Sequence, residues 1–177
     1  IVLLVMACVI ALTDLLDKSQ RRMGAYILSV LTLLAVAGLT ATYAIGGQTI
    51  YGFEGMVVSD PMANWLKCFA ALAVLVTFVY GRTYVVERGM LRGGEWYVLS
   101  LLSLLGGFVL ISANNFILIY LGLECLTVSG YALVALRRDH GTAVEAAMKY
   151  FVLGAMASGF LLYGLSMLYG ATGTLDI

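Results

Sequence analysis

Asn115-Phe-Ile-Leu-Ile-Tyr-Leu-Gly-Leu-Glu-Cys-Leu-Thr-Val-Ser-Gly-Tyr-Ala-Leu-Val-Ala-Leu136 is an unbroken apolar run that carries one formally charged side chain, Glu124. About 20 mainly apolar residues cross a bilayer as a helix. Barrel strands would alternate polar and apolar positions, and this run does not, so it reads as a transmembrane helix. Glu124 stands nine residues after Asn115 and twelve before Leu136. At 1.5 Å per residue it lies about 14 and 18 Å from the two ends, near the middle of the membrane.

The rest of the chain repeats this pattern. Of 177 residues, 62% are hydrophobic and 11% charged, and the mean hydropathy is +1.00. Soluble domains carry about 25% charged residues. Further apolar segments cover about 1–16, 23–46, 62–86, 96–112 and 144–170, beside 115–136. The fold class is therefore an all-α integral membrane protein, a polytopic bundle of about six transmembrane helices in one membrane domain over 1–177. The lipid bilayer is its first partner. Net charge is zero and the basic residues sit in short clusters, which excludes a nucleic-acid footprint. Cys8, Cys68 and Cys125 are far apart in apolar runs. They read as buried apolar thiols rather than metal ligands or disulfides. The chain opens apolar at Ile1 and stops at Asp176-Ile177 just after a long apolar segment, without a signal peptide; it is expected to be a piece of something longer.

Local signals mark the helix ends. Asp60-Pro61 sets an N-cap acid before a proline at the first helical position. Thr142-Ala-Val-Glu145 matches a capping box, which gives Glu145 a structural role. Trp65 and Trp96 sit where amphipathic rings favour the interface. Lys18, Arg21 and Arg22, then Arg82, Arg88 and Arg92, then Arg137 and Arg138 with His140, fall at alternate connections. The connections 47–60, 113–114 and 171–177 carry no Lys or Arg. By the positive-inside rule the basic connections face the cytoplasm and the N-terminus lies outside.

Within the spans the ionisable candidates are Asp14, Lys67, Glu124 and Lys149. A charge at the bilayer centre costs about 2.5–3.5 kcal/mol on insertion scales, which makes each a candidate for function. Asp14 is near a helix end and within reach of Lys18 or Arg21. Lys67 is five residues past Met62, where its stem can snorkel to the interface. Glu124 is too deep for that, so it is either protonated or held ionised by a cation or water. Tyr120, Thr127 and Tyr131 share its side of the helix and offer a hydrated face. Lys149 is about 8 Å inside the sixth helix. The fifth and sixth helices are antiparallel, which separates Lys149 from Glu124 by about 10 Å in depth and argues against direct pairing. In the sixth helix, Gly154, Ala155, Ala157, Ser158 and Gly159 form a small-residue patch suited to close helix packing.

These residues carry a resemblance. Tyr120-Leu-Gly-Leu-Glu124 with Tyr131-Ala-Leu-Val-Ala-Leu136, Glu145-Ala-Ala-Met-Lys-Tyr-Phe-Val-Leu-Gly154 and Ala157-Ser-Gly-Phe-Leu-Leu-Tyr-Gly164 resemble the fifth and sixth helices of the subunit N family of proton-pumping NADH-quinone oxidoreductase, respiratory complex I. Ser166–Ile177, Val58-Ser-Asp-Pro61 and Leu91-Arg-Gly-Gly-Glu-Trp-Tyr97 are similar too. The resemblance implies the N-terminal portion of an antiporter-like fold of about fourteen helices, built from two inverted five-helix repeats. It implies proton translocation, with Glu124 at the position of the family's fifth-helix glutamate and Lys149 at that of its sixth-helix lysine. The glutamate's seventh-helix lysine partner would lie beyond residue 177. Many relatives carry proline where Ser129 stands here.

The resemblance further implies a bacterial-type inner membrane, other complex I membrane subunits as partners, and no cofactor in this chain. NADH, FMN, iron–sulfur clusters and quinone would belong to other subunits. Two alternatives share the composition: a subunit of an Mrp-type cation/proton antiporter or membrane hydrogenase, and a non-conducting structural membrane piece.

Overall fold

The computed structural model describes residues 1–16, 23–90 and 94–177. Six helices run in chain order: α1 (Val2–Leu16), α2 (Met23–Ile45), α3 (Pro61–Glu87), α4 (Glu95–Ser112), α5 (Phe116–Val134) and α6 (Gly141–Thr172). Five of them, α2 to α6, are long and apolar enough to cross a membrane. The basic residues Lys18, Arg21, Arg22 and Arg92 lie outside the described residues.

Helices α1 to α4 enclose the core. Leu3, Ala7 and Ile10 of α1 meet Leu33, Val36 and Ala37 of α2, Ala71 and Phe78 of α3, and Leu101 and Leu104 of α4. At one end of this bundle Phe78, Trp96 and Tyr97 pack ring to ring at 5.0–5.2 Å, edge and tilted geometries that favour aromatic pairs. Arg82 lies 4.2 Å over the Tyr26 ring beside them, a cation–π contact that holds α3 to α2.

Helix α5 packs on the opposite face of α4 almost backbone to backbone. A Cβ added at Gly106 would come 2.5 Å from the Leu126 nitrogen and 2.7 Å from the Gly122 oxygen; one at Gly122 would come 2.8 Å from the Leu110 nitrogen. Only glycine permits that approach. Helix α6 lies against α5 alone among its long contacts, and Ala147 is its one buried residue. The small-residue patch expected to pack closely is therefore mostly exposed here. Gly154 and Ser158 are half-buried, and Tyr131 of α5 lies against the Gly154 backbone.

The helix ends follow local chemistry in part. Asp60 caps α3, accepting from the Ala63 amide at 3.0 Å with Pro61 at the first position. The capping box at Thr142 does not form: α6 starts earlier, at Gly141, its N-cap is His140, and no side chain caps it. Glu145 turns instead to Lys149, one turn on. Starting at Gly141, the helix is 32 residues long. At 1.5 Å per residue it is about 48 Å, longer than a hydrocarbon core of about 30 Å.

Between α2 and α3 the chain forms a small hairpin of β1 (Ile50–Gly52) and β2 (Val57–Ser59), antiparallel with Tyr51 opposite Val58. Phe53 and Glu54 both take positive φ, 53° and 56°, to turn it. Polar backbone outside a helix must be satisfied at the membrane surface, and the hairpin does this by pairing with the α4–α5 junction. The Asn114 amide donates to the Met56 carbonyl at 2.9 Å, and its side chain donates to the Gly55 carbonyl. The Phe116 amide donates to the Leu175 carbonyl, and the Asn115 side chain to Asp176 at 3.0 Å. The hairpin, the α4–α5 junction and the last residues thus form one seam at what is called here the hairpin end.

Candidate functional site: a half-buried glutamate and the other charges of the spans

Glu124 lies eight residues after Phe116 and ten before Val134, about 12 and 15 Å from the ends of α5. Its side chain is half-buried. Two of the side chains expected to hydrate it are engaged elsewhere. Thr127 donates to the Leu123 and Glu124 carbonyls of its own helix at 2.9 and 3.2 Å. Tyr131 is buried, lies against Gly154, and meets Tyr150 and Phe151 edge-on at 4.7 and 5.6 Å. No hydrogen bond or ion pair holds the Glu124 carboxyl among the described residues. Ser129 donates to the Cys125 carbonyl at 2.7 Å. With an amide present and its hydroxyl turned inward, the helix continues unbroken to Val134.

Lys149 does not meet Glu124. It pairs with Glu145 at 2.5 Å, and both side chains are mostly exposed. The contact of Tyr131 with Gly154 sets the register of α5 on α6. Glu124 lies seven residues from Tyr131 toward the hairpin end, and Lys149 five from Gly154 toward the other. The Tyr131 ring also meets Tyr150 and Phe151, next to Lys149. The seven residues from Tyr131 to Glu124, about 10 Å, therefore give the separation along the interface that helix directions suggest. The buried Tyr131 stands between them.

Lys67 is the clearest departure from the sequence reading. It does not snorkel: it is 9% exposed, and its ammonium donates to the Ser112 hydroxyl. Asn64, Lys67, Ala71 and Phe78 are all buried on α3. That three-to-four-residue stripe was the available signal, since a lysine in register with a helix's buried face turns inward. Asp14 has a partner at the start of α4. The Gly94 amide at the start of α4 donates to its carboxylate at 2.7 Å, and Lys18 and Arg21 lie outside the described residues. Close by, Arg138 grips both Glu95 oxygens at 2.7 Å, tying the α5–α6 connection to α4.

Of the cysteines, Cys68 is buried, Cys125 partly buried and Cys8 exposed. Cys8 thus departs from the buried reading, because it stands on the outer face of α1. Among the described residues no three His, Cys, Asp or Glu side chains gather to hold a metal.

Apolar helices with a mid-helix acid on α5 and a paired lysine on α6 define a polytopic membrane bundle. The transmembrane family model of NADH:quinone oxidoreductase and Mrp antiporters matches residues 113–177, which hold both charges. Over its whole length the chain is similar to NADH-quinone oxidoreductase subunit N. It is 66% identical over 177 residues to that subunit of Polaromonas naphthalenivorans and 55% over 173 residues to that of Herminiimonas arsenicoxydans. These matches take in 100% and 96% of this chain and 35% of each relative, so the chain spans about a third of the length of the curated relatives it matches. Among solved structures, a chain of respiratory complex I from Thermus thermophilus with bound aureothin aligns with TM-score 0.77 and 32% identity, over 99% of this chain and 37% of that one. A chain of an archaeal membrane-bound sulfane sulfur reductase aligns with TM-score 0.82 at 24% identity, over 99% and 37%, and shares the fold.

Proposed function

We propose that this chain is the N-terminal membrane portion of a proton-translocating subunit of NADH-quinone oxidoreductase, and that Glu124 carries the proton. The observation that supports this best is the Glu124 carboxyl itself: mid-membrane, half-buried and unheld by any described donor. A carboxyl left free at that depth can take up and pass on a proton as nearby charge changes. Quinone chemistry elsewhere in the complex would supply that change, with NADH, FMN, iron–sulfur clusters and quinone on other subunits. Lys149 contributes by exchanging its Glu145 partner as the field alters, and water bridges the distance to Glu124. The other membrane subunits of the complex are the partners. The location is a bacterial inner membrane, with the N-terminus outside the cytoplasm.

The test is Glu124→Gln in the full-length subunit within its complex, with proton movement and assembly measured together. Pumping per NADH oxidised should fall by a larger factor than the amount of assembled complex. Normal pumping by an assembled variant would sink the role. The family model, named for Mrp antiporters as well, favours a second reading, an Mrp-type antiporter or membrane hydrogenase subunit. Neighbouring genes discriminate, since complex I genes should flank the gene for this chain under the first reading and antiporter or hydrogenase genes under the second.

A further inference from the structure

Between Lys149 and Glu124 the α5–α6 contact is made by tyrosines and glycines. Tyr131 of α5 is 8% exposed and meets Tyr150 and Phe151 of α6 edge-on. Its hydroxyl reaches past them to Gly154, where an added Cβ would collide with it. Gly154 stands five residues from Lys149 toward the hairpin end, about 7.5 Å along α6. Side chains lean toward the N-terminus of their own helix, and the N-terminus of α5 is at the hairpin end. Tyr131 thus starts near the level of Lys149 and carries its hydroxyl toward Glu124, two turns away on the same side of α5.

That hydroxyl has no hydrogen-bond partner among the described residues. Thr127 and Ser129, the neighbouring hydroxyls of α5, each donate to a carbonyl of their own helix. A buried hydroxyl without a protein partner takes one from water, and a phenol both donates and accepts. We propose that Tyr131 carries the proton between the two charges. Its oxygen accepts a proton from water on the Lys149 side as its own proton passes to water on the Glu124 side. One O–H bond forms while the other breaks, so the phenol ends as it began. The rings of Tyr150 and Phe151 hold the oxygen in line, and Gly154 leaves it room. This role rests on the reading of Glu124 as the proton carrier, and names the group that spans the distance to Lys149.

The test compares Tyr131→Phe, Tyr150→Phe and Glu124→Gln in the full-length subunit within its complex, reconstituted in vesicles. Protons moved per NADH oxidised are read beside the amount of assembled complex. Phenylalanine keeps the ring contacts and removes only the oxygen, so a structural role for Tyr131 would leave that ratio unchanged. Tyr131→Phe should assemble as the wild type does and lose as much of the ratio as Glu124→Gln. Tyr150→Phe should keep it, because that hydroxyl lies over Gly130, about a third of a turn round α5 from Glu124. Normal pumping by Tyr131→Phe beside a loss in Glu124→Gln overturns the inference and leaves the reading of Glu124 intact. Normal pumping by both overturns that reading and the inference with it. A Tyr131→Phe variant that fails to assemble shows a structural hydroxyl and also overturns the inference, as does an equal loss in Tyr150→Phe.

Discussion

A lysine and a glutamate four residues apart on a helix, Glu145 before Lys149, form the kind of pair that needs no tertiary structure. Both side chains are mostly exposed, and such pairs contribute about 0.3–0.5 kcal/mol. Glu145→Gln should therefore leave insertion and assembly unchanged, and should reduce pumping less than Glu124→Gln does. Equal losses would show that the pair, rather than the lone glutamate, controls the proton. Glu124 stood out in the sequence because an acid in the middle of an apolar run is rare and costly at that depth. Lys67 was misread for the complementary reason. A long stem allows either snorkelling or burial, and only the neighbouring Ser112, 45 residues away in sequence, decides between them.

At the scale of elements, close packing by glycine makes the sharpest prediction. Gly106→Ala would place a methyl group against the α5 backbone, which cannot move aside as a flexible side chain would. A loss of about 1–3 kcal/mol is expected, read as a lower melting temperature of the full-length subunit in detergent. Gly107→Ala, whose added carbon would meet only the tip of the Leu126 side chain at 3.9 Å, should be close to neutral. Asp60→Ala removes the α3 cap and should cost about 1 kcal/mol in the same assay. The Asp60-Pro61 start was readable because the cap and its helix are adjacent in sequence. The Thr142 capping box was misleading because Glu145 had a second partner within one turn, and a charged lysine outcompetes a backbone amide for a carboxylate.

Across the whole molecule, the seam of hairpin, α4–α5 junction and chain end gathers at one end the connections that carry no Lys or Arg. The described basic connections gather at the other. If the positive-inside rule governs, Glu54→Cys in the hairpin should react with a membrane-impermeant maleimide from outside spheroplasts. Asp139→Cys should react only after the membrane is opened. The reverse pattern would overturn the proposed orientation.

What this sequence determined by itself is whatever depends on short range. Apolar length makes helices because lipid offers no partner to backbone groups, and Glu124 stands out because depth along a helix is simply counted. Tertiary structure alone decided which face each charge takes and what it meets. It turned Lys67 inward to Ser112, sent Asp14 to the start of α4, and set Tyr131 between Glu124 and Lys149 through its contact with Gly154. Those outcomes depend on helix register. Register is set by glycines and aromatic rings meeting across helices, at separations in sequence where periodicity carries no information.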